Sequence, residues 1–280
     1  MKTASGPPAR GEPQASGDQR VRRVCLVGAL GRMGGCVRTA LAGEPTLRLA
    51  SALEAAGHPG QGLELAPGLR VSSDAAAALA ACEVAIDFAV PAATLANLRA
   101  AAVAGCAYVT GTTGFSDSER AEIAALATRI PVIHAPNFSL AVNVLAWLTQ
   151  RAAELLGPGY DAELLELHHA AKRDAPSGTA LRLAEAVAAG RGQKLAEQLV
   201  LERAGEIGAR PQAAIAVQTL RGGDSAGEHT VLFLGQGERL ELVHRASTRD
   251  HFARGAVRAA AWLAGRAPGL YPIERVLGLE

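Results

Sequence analysis

The feature that most narrows the folds open to this chain lies near residue 28. The apolar run Val21 to Val27 ends at Gly28-Ala29-Leu30-Gly31-Arg32-Met33-Gly34, and helical spacing follows through Met33, Val37 and Leu41. A buried strand that turns through three glycines into a helix opens a strand–helix–strand unit. Glycine accepts positive φ in the tight turn, and its missing Cβ lets backbone approach a pyrophosphate. The free amides and partial positive charge at the helix start face the same anion. Glu54 follows the next strand, Leu47 to Leu53, where a carboxylate accepts hydrogen bonds from an adenosine ribose. A tight turn with close helix packing would also use these glycines, but strand, helix and acid in register favour dinucleotide binding. Gly28, Ala29, Leu30, Gly31, Arg32, Met33 and Glu54 are therefore cofactor candidates. Glu54 is followed by Ala55 and Ala56, so a 2′-phosphate would meet a carboxylate with no adjacent cation. NADH is expected over NADPH, with Arg32 able to swing toward that phosphate and leave mixed use open.

Strands and helices continue to alternate. Helical segments at Ala75 to Ala81, Leu95 to Val103 and Glu119 to Ala127 separate strands at Val84 to Phe88, Tyr108 to Thr110 and Val132 to Ala135. Such alternation predicts a parallel sheet covered on both faces, with every strand-to-helix loop on one edge. Two further loops belong to that edge, Gly111-Thr112-Thr113 and Ala135-Pro136-Asn137-Phe138. Each offers backbone groups and small polar side chains to a nicotinamide and its ribose, and ordinary turn chemistry is an equal reading. Asp87 is expected to support a loop at the same edge.

The pattern changes near Asn137. A longer apolar helix, Leu140 to Leu156, leads to a strand at Ala162 to Leu167 and a helix after Gly178. Strand-like runs at Ile215 to Leu220, His229 to Leu234 and Leu240 to His244 are separated by Gly-rich turns, which suits a mixed or antiparallel sheet. Phe252 to Ala264 is helical and is expected to return to the first domain. The predicted organisation is a tail over residues 1–20, a dinucleotide-binding domain over 21–138 and 250–280, and a smaller α+β substrate-binding and oligomerisation domain over 139–249. The tail, rich in Gly, Pro, Ser and Gln, is expected to be disordered.

Composition removes other classes of function. The 280 residues carry 28 Lys and Arg against 27 Asp and Glu, a net charge of +1, with 4% aromatics. Neither a global basic excess nor base-stacking platforms are present, so no nucleic-acid partner is expected. Cys25, Cys36, Cys82 and Cys106 form no C-x-x-C pair, which fits a reducing cytoplasm and argues against a zinc cage. No apolar stretch reaches the ~18 residues of a membrane helix, so no membrane partner is expected.

The densest chemistry is Glu166-Leu167-His168-His169-Ala170-Ala171-Lys172-Arg173-Asp174-Ala175-Pro176-Ser177-Gly178-Thr179. Two imidazoles and an ammonium fall within five positions, and an imidazole gives or takes a proton near neutrality. Pro-Ser-Gly-Thr then opens a helix, whose free amides and hydroxyls form an anion pocket. A small dicarboxylate would satisfy both parts. The blander readings are an N-cap at Ser177, a solvated Lys172-Arg173 pair and, least favoured, a metal site at His168-His169. The nucleotide loop upstream tilts the balance to catalysis. His134, His229, His244 and His251 lack such company and are read as structural.

These residues resemble those of the dihydrodipicolinate reductase family. The stretch His168-His169-x-x-Lys172-x-Asp174-Ala175-Pro176-Ser177-Gly178-Thr179 is similar to that family's signature throughout. Gly28 to Gly34, Gly111 to Phe115, Ala135 to Ser139, Arg221-Gly222-Gly223-Asp224 and Gly227-Glu228-His229-Thr230 support it, with His244-Arg245-Ala246-Ser247. The resemblance spans about Val21 to Leu279. It implies a Rossmann-like parallel sheet, a mixed-sheet substrate domain and a cytoplasmic homotetramer. The implied reaction is NAD(P)H-dependent reduction of 4-hydroxy-tetrahydrodipicolinate in lysine and diaminopimelate biosynthesis. By resemblance, His168 is the proton donor or acceptor and Lys172 a proton donor. His169, Ser177, Gly178 and Thr179 would bind substrate, and no metal is implied. The chain departs from the family pattern at Ala55, Ala89, Ala216 and Val243. Another amino-acid-pathway dehydrogenase, or a non-catalytic nucleotide sensor, would explain the glycine loop but not the His168 to Thr179 run.

Overall fold

The computed structural model describes residues 20–279. The expected tail therefore lies almost wholly outside the described residues. The first half forms β1 (Arg22–Val27), α1 (Arg32–Leu41), β2 (Leu47–Leu53), β3 (Glu64–Ala66), β4 (Leu69–Ser72), α2 (Ala75–Ala80), β5 (Val84–Asp87), α3 (Pro91–Ala104), β6 (Ala107–Thr110), α4 (Asp117–Ala127) and β7 (Pro131–His134). The second half forms α5 (Leu140–Leu156), β8 (Asp161–His168), α6 (Gly178–Gly190), α7 (Leu195–Gln198), β9 (Leu199–Val200), β10 (Ile215–Arg221), β11 (Glu228–Leu234), β12 (Arg239–Arg245), α8 (Asp250–Leu263), β13 (Gly269–Leu270) and α9 (Glu274–Leu277).

The first sheet has the order β13-β7-β6-β5-β1-β2-β4-β3. All its pairs are parallel except β3 with β4. Its strands read as nearly unbroken apolar runs because both faces are covered. Val24 and Leu26 of β1 point into a core shared with α1 and α8. Cys25 and Val27 point into a second core with α2, α3 and α4. α8, which follows residue 250, packs its Ala253, Ala256, Val257 and Leu263 into the first of these cores. The hairpin of β3 and β4, closed at Pro67-Gly68 with Gly68 at φ 76°, is absent from the periodicity reading.

The second sheet is mixed, in the order β12-β11-β8-β10-β9. β8 pairs parallel with β10 and antiparallel with β11. α5 and α6 cover one face around Leu145, Leu164, Leu183, Val217 and Phe233. In the first sheet the strand order reverses where β1 lies between β2 and β5. Ligands of open α/β sheets bind outside the carboxyl ends of strands at such a switch point.

Candidate active site

The glycine loop closes over the end of β1. Gly28 sits at φ 70°, and its amide and that of Ala29 donate to the Leu53 carbonyl. A Cβ on Gly34 would lie 2.2 Å from the Gly28 oxygen, so the loop lies directly on the first turn of α1. That turn holds no acidic residue, and Gly31 caps it without a side chain, leaving its amides open to an anion. The Glu54 carboxylate accepts from the Leu30 amide at 2.8 Å, tying the acid to the loop through one oxygen. Gly28, Gly31, Arg32, Met33 and Glu54 line a cleft of about 620 Å³, together with Ala55, Ala56 and His58. A backbone cradle, an uncapped helix start and a carboxylate beyond it fit a dinucleotide.

The other edge loops are held by buried polar groups. Asp87 is fully buried and accepts from the Ala89 amide at 2.7 Å and the Tyr108 hydroxyl at 2.7 Å. Burial pushes its carboxyl upward against those bonds. It supports the loop, as its position in sequence suggests. Thr112 turns inward to Thr94 at 2.8 Å, and His134 Nε2 donates to the Thr112 carbonyl. Thr113, Pro136 and Asn137 face a second cavity. Ala29, Ala135 and Phe138 put their side chains into the first core, with Phe138 edge-on to Phe88, so only their backbones border the edge.

The second cavity, of about 670 Å³, brings His168, His169, Lys172, Ser177, Gly178 and Thr179 together opposite those loops. The side chains of β8 alternate, so Ala162 and Leu164 lie in the core while Glu166 and His168 continue the same face to the cavity. Glu166 is only 1% exposed and organises the site. It accepts from His168 Nδ1, the Ser177 amide, Thr219 Oγ1 and both terminal nitrogens of Arg221. Burial raises the Glu166 carboxyl, but the bonds from Arg221, His168 and Ser177 outweigh it and hold it below the usual range. Burial lowers the His168 imidazole, Glu166 pulls it back up, and Lys172 and Arg221 push it down. Burial thus favours the neutral ring, whose Nδ1–H donates to the Glu166 carboxylate and leaves Nε2 toward the cavity. Glu166 and Arg221 stand in the segments singled out by sequence, yet neither receives a role there. The signal was the Glu166-x-His168 spacing, which puts both side chains on one face of a strand.

Asn137 Nδ2 donates to Thr179 Oγ1 at 3.0 Å, joining the first sheet's edge to the first turn of α6. Ser177 caps that helix, its Oγ accepting from the Ala180 amide at 3.1 Å. Lys172 Nζ pairs with both oxygens of the exposed Asp174 at 2.8 Å. Arg249, a residue the sequence did not single out, donates to His169 Nε2 at 3.1 Å and lines the cavity. Cations thus outnumber Asp174 around an open helix start, an environment for a small molecule with more than one carboxylate.

Known proteins share these sequences. The family described as dihydrodipicolinate reductase, N-terminus, matches residues 22–138, and its C-terminus matches 141–277. The chain belongs to the dihydrodipicolinate reductase family. It is thus an oxidoreductase of a pyridine-nucleotide-dependent family. It is 47% identical over 265 residues to the 4-hydroxy-tetrahydrodipicolinate reductase of Anaeromyxobacter dehalogenans, covering 92% of this chain and 98% of that protein. The reductase of the same name from Syntrophotalea carbinolica is 48% identical over 265 residues, covering 92% and 99%. A dipicolinate-bound dihydrodipicolinate reductase from Paenisporosarcina sp. TG-14 shares the fold, with a TM-score of 0.75 at 23% identity over 90% of this chain and 97% of that one. Among the described residues no helix of this reductase is long and apolar enough to cross a membrane.

Proposed function

We propose that the protein reduces 4-hydroxy-tetrahydrodipicolinate to tetrahydrodipicolinate with NAD(P)H, with loss of water, in lysine and diaminopimelate biosynthesis. The observation that carries the reading is the His168–Glu166 pair in a cation-lined cavity, across from the edge loops of the nucleotide sheet. A reduced nicotinamide bound at that sheet supplies the hydride. Lys172 and the amides of Gly178 and Thr179 bind the two carboxylates, and Lys172 leaves Asp174 to do so. A dianion beside His168 raises its affinity for a proton, which Nε2 then delivers toward the ring nitrogen as electrons arrive there. Glu166 keeps the ring in the one tautomer that presents Nε2. His169, held by Arg249, and Ser177 border the bound substrate.

The cofactor loops at Gly28 to Met33, Gly111 to Thr113 and Ala135 to Phe138 hold the dinucleotide chiefly by backbone. Glu54 receives the ribose hydroxyls, and its charge with Ala55 and Ala56 beside it favours NADH. Residues 21–138 and 250–280 act as the nucleotide domain and 139–249 as the substrate domain. Four such domains associate through the sheet face turned away from α5 and α6, where Leu165, Leu220 and Val243 are exposed. Four free cysteines accord with a cytoplasmic enzyme.

The test is oxidation of NADH, and separately NADPH, with freshly generated substrate. Turnover is expected with both, faster at low concentrations of NADH. His168→Gln should lower kcat by about 10²- to 10⁴-fold while NADH still binds by fluorescence titration. Wild-type turnover in that variant would remove His168 from the chemistry.

A further inference from the structure

Three histidines outside the proposed chemistry stand in a row leading away from it. Antiparallel register places His229 of β11 opposite Glu166 of β8, and His244 of β12 opposite His229. Both therefore lie on the sheet face that carries Glu166 and His168, and His251 of α8 stands beyond them. The ring centroids of His168 and His229 are 5.2 Å apart, those of His229 and His244 6.1 Å, and those of His244 and His251 6.1 Å. The row begins in the catalytic cavity and ends at a separate cleft of about 380 Å³, lined by His244 and His251 beside the exposed Ser247 and Thr248.

The hydrogen bonds along this row are incomplete in an ordered way. His229 is 4% exposed, and its Nε2 lies 3.3 Å from Ser177 Oγ. Its Nδ1 and the Nδ1 of His244 are both buried without a partner. Ser177 Oγ already accepts from the Ala180 amide. A hydroxyl has two acceptor sites and one donor, so Oγ can also accept from His229 Nε2–H while its own proton turns to the cavity. Gly227 keeps the space beside these rings open: a Cβ there would lie 2.9 Å from His168 Nε2 and 3.6 Å from His229 Cε1. Buried polar atoms without partners are expensive, and a single water between the two Nδ1 atoms would satisfy both.

We propose that His229 and His244 form a proton relay from the second cleft, through Ser177, to His168. This rests on the reductase reading, in which each turnover consumes a proton and the occupied cavity shuts His168 Nε2 away from bulk water. His244 passes a proton through the bridging water to His229 Nδ1. His229 releases its Nε2 proton to Ser177 Oγ, which gives its own hydroxyl proton to His168 Nε2, directly or through one cavity water. Each group gains one proton and loses one, so His229 stays neutral and ends as the opposite tautomer. Exchange through the open cavity between turnovers restores it. A ring that burial holds strongly to its neutral form suits this concerted transfer better than storage of the charge.

The experiment compares the full-length wild type with His229→Gln and His244→Gln. Glutamine retains a donor for Ser177 but cannot accept on one nitrogen while releasing from another. In each variant kcat should fall about tenfold or more, within the range of acid–base catalysis. KM for both substrates should stay within about twofold, the solvent deuterium isotope effect on kcat should rise, and added imidazole should restore turnover. Unchanged kcat in His244→Gln would overturn the relay, as would a raised KM with normal kcat, which would mean that the row only anchors Ser177. If His229→Gln does not fold, His244→Gln on the edge strand decides. A wild type that does not turn over the substrate removes the reductase reading and the relay with it, whereas an active wild type with equally active variants removes the relay alone.

Discussion

Glu166 shows how much of the site turns on one side chain. Its carboxylate neutralises Arg221, orients His168 and anchors the Ser177 amide. Removing one partner of such a buried ion pair costs about 3–5 kcal/mol, so Glu166→Gln should lower stability as well as rate. A specific electrostatic consequence separates the two. The Glu166 charge raises the His168 imidazole against the lowering by burial. Without it, His168 should protonate at a lower pH, measured from the imidazole Cε1–H resonance, and kcat should fall more than KM rises. An unshifted titration would reduce Glu166 to a structural role. Legibility was uneven at this scale. His168, Lys172, Ser177, Gly178 and Thr179 share one segment, and local spacing shows them together. Arg221 reaches Glu166 from β10, His229 reaches Ser177 from β11, and Arg249 lines the cavity from the start of α8, so only strand pairing and helix placement bring them to the site.

At the scale of elements, close approach rather than propensity sets the frame. α8 crosses the loop after β7, and a Cβ on Gly255 would sit 1.7 Å from the Phe138 oxygen. That atom is backbone and cannot yield as a flexible side chain would. Gly255→Ala should force α8 away from Ala253, Ala256 and Leu263's places in the first core, at a cost of about 1–3 kcal/mol or more. Gly35 provides the contrast. It lies in α1 with nothing within 4 Å of an added Cβ, so Gly35→Ala should stabilise by up to about 1 kcal/mol through helix propensity. Urea unfolding midpoints test both, and equal midpoints for the two variants would contradict the packing argument. The main strands and helices were readable because an unbroken apolar run survives in β1, a period of two in β8 and a period of 3.6 in α1 and α5. The short β3, β4, β9 and β13 were not, since they lack the unbroken buried apolar run that marks the equally short β5 and β6.

For the whole molecule, buried neutral imidazoles link stability to acidity. Burial holds His134, His168, His229, His244 and His251 below the usual imidazole range. His229 falls from 6.5 to about 3. Below about pH 6.5 the unfolded chain binds a proton that folded His229 refuses, so its contribution to stability is full at neutral pH and is lost as pH falls from 6.5 toward about 3. Each such proton steepens the dependence by about 1.4 kcal/mol per pH unit. Glu166, depressed from 4.5, adds a loss only in a more acidic window. Unfolding free energies at pH 7, 6 and 5 should decline with steps that grow, and His229→Gln should flatten the slope. An identical slope in the variant would mean that His229 is protonated in the native state. The sequence by itself determined the alternation of strand and helix, the glycine loop and the signature segment, because each depends on neighbours within a few residues. Tertiary structure alone decided the Glu166–Arg221 clasp, the meeting of Asn137 with Thr179 and the histidine row, because register between distant strands fixes which side chains share a face.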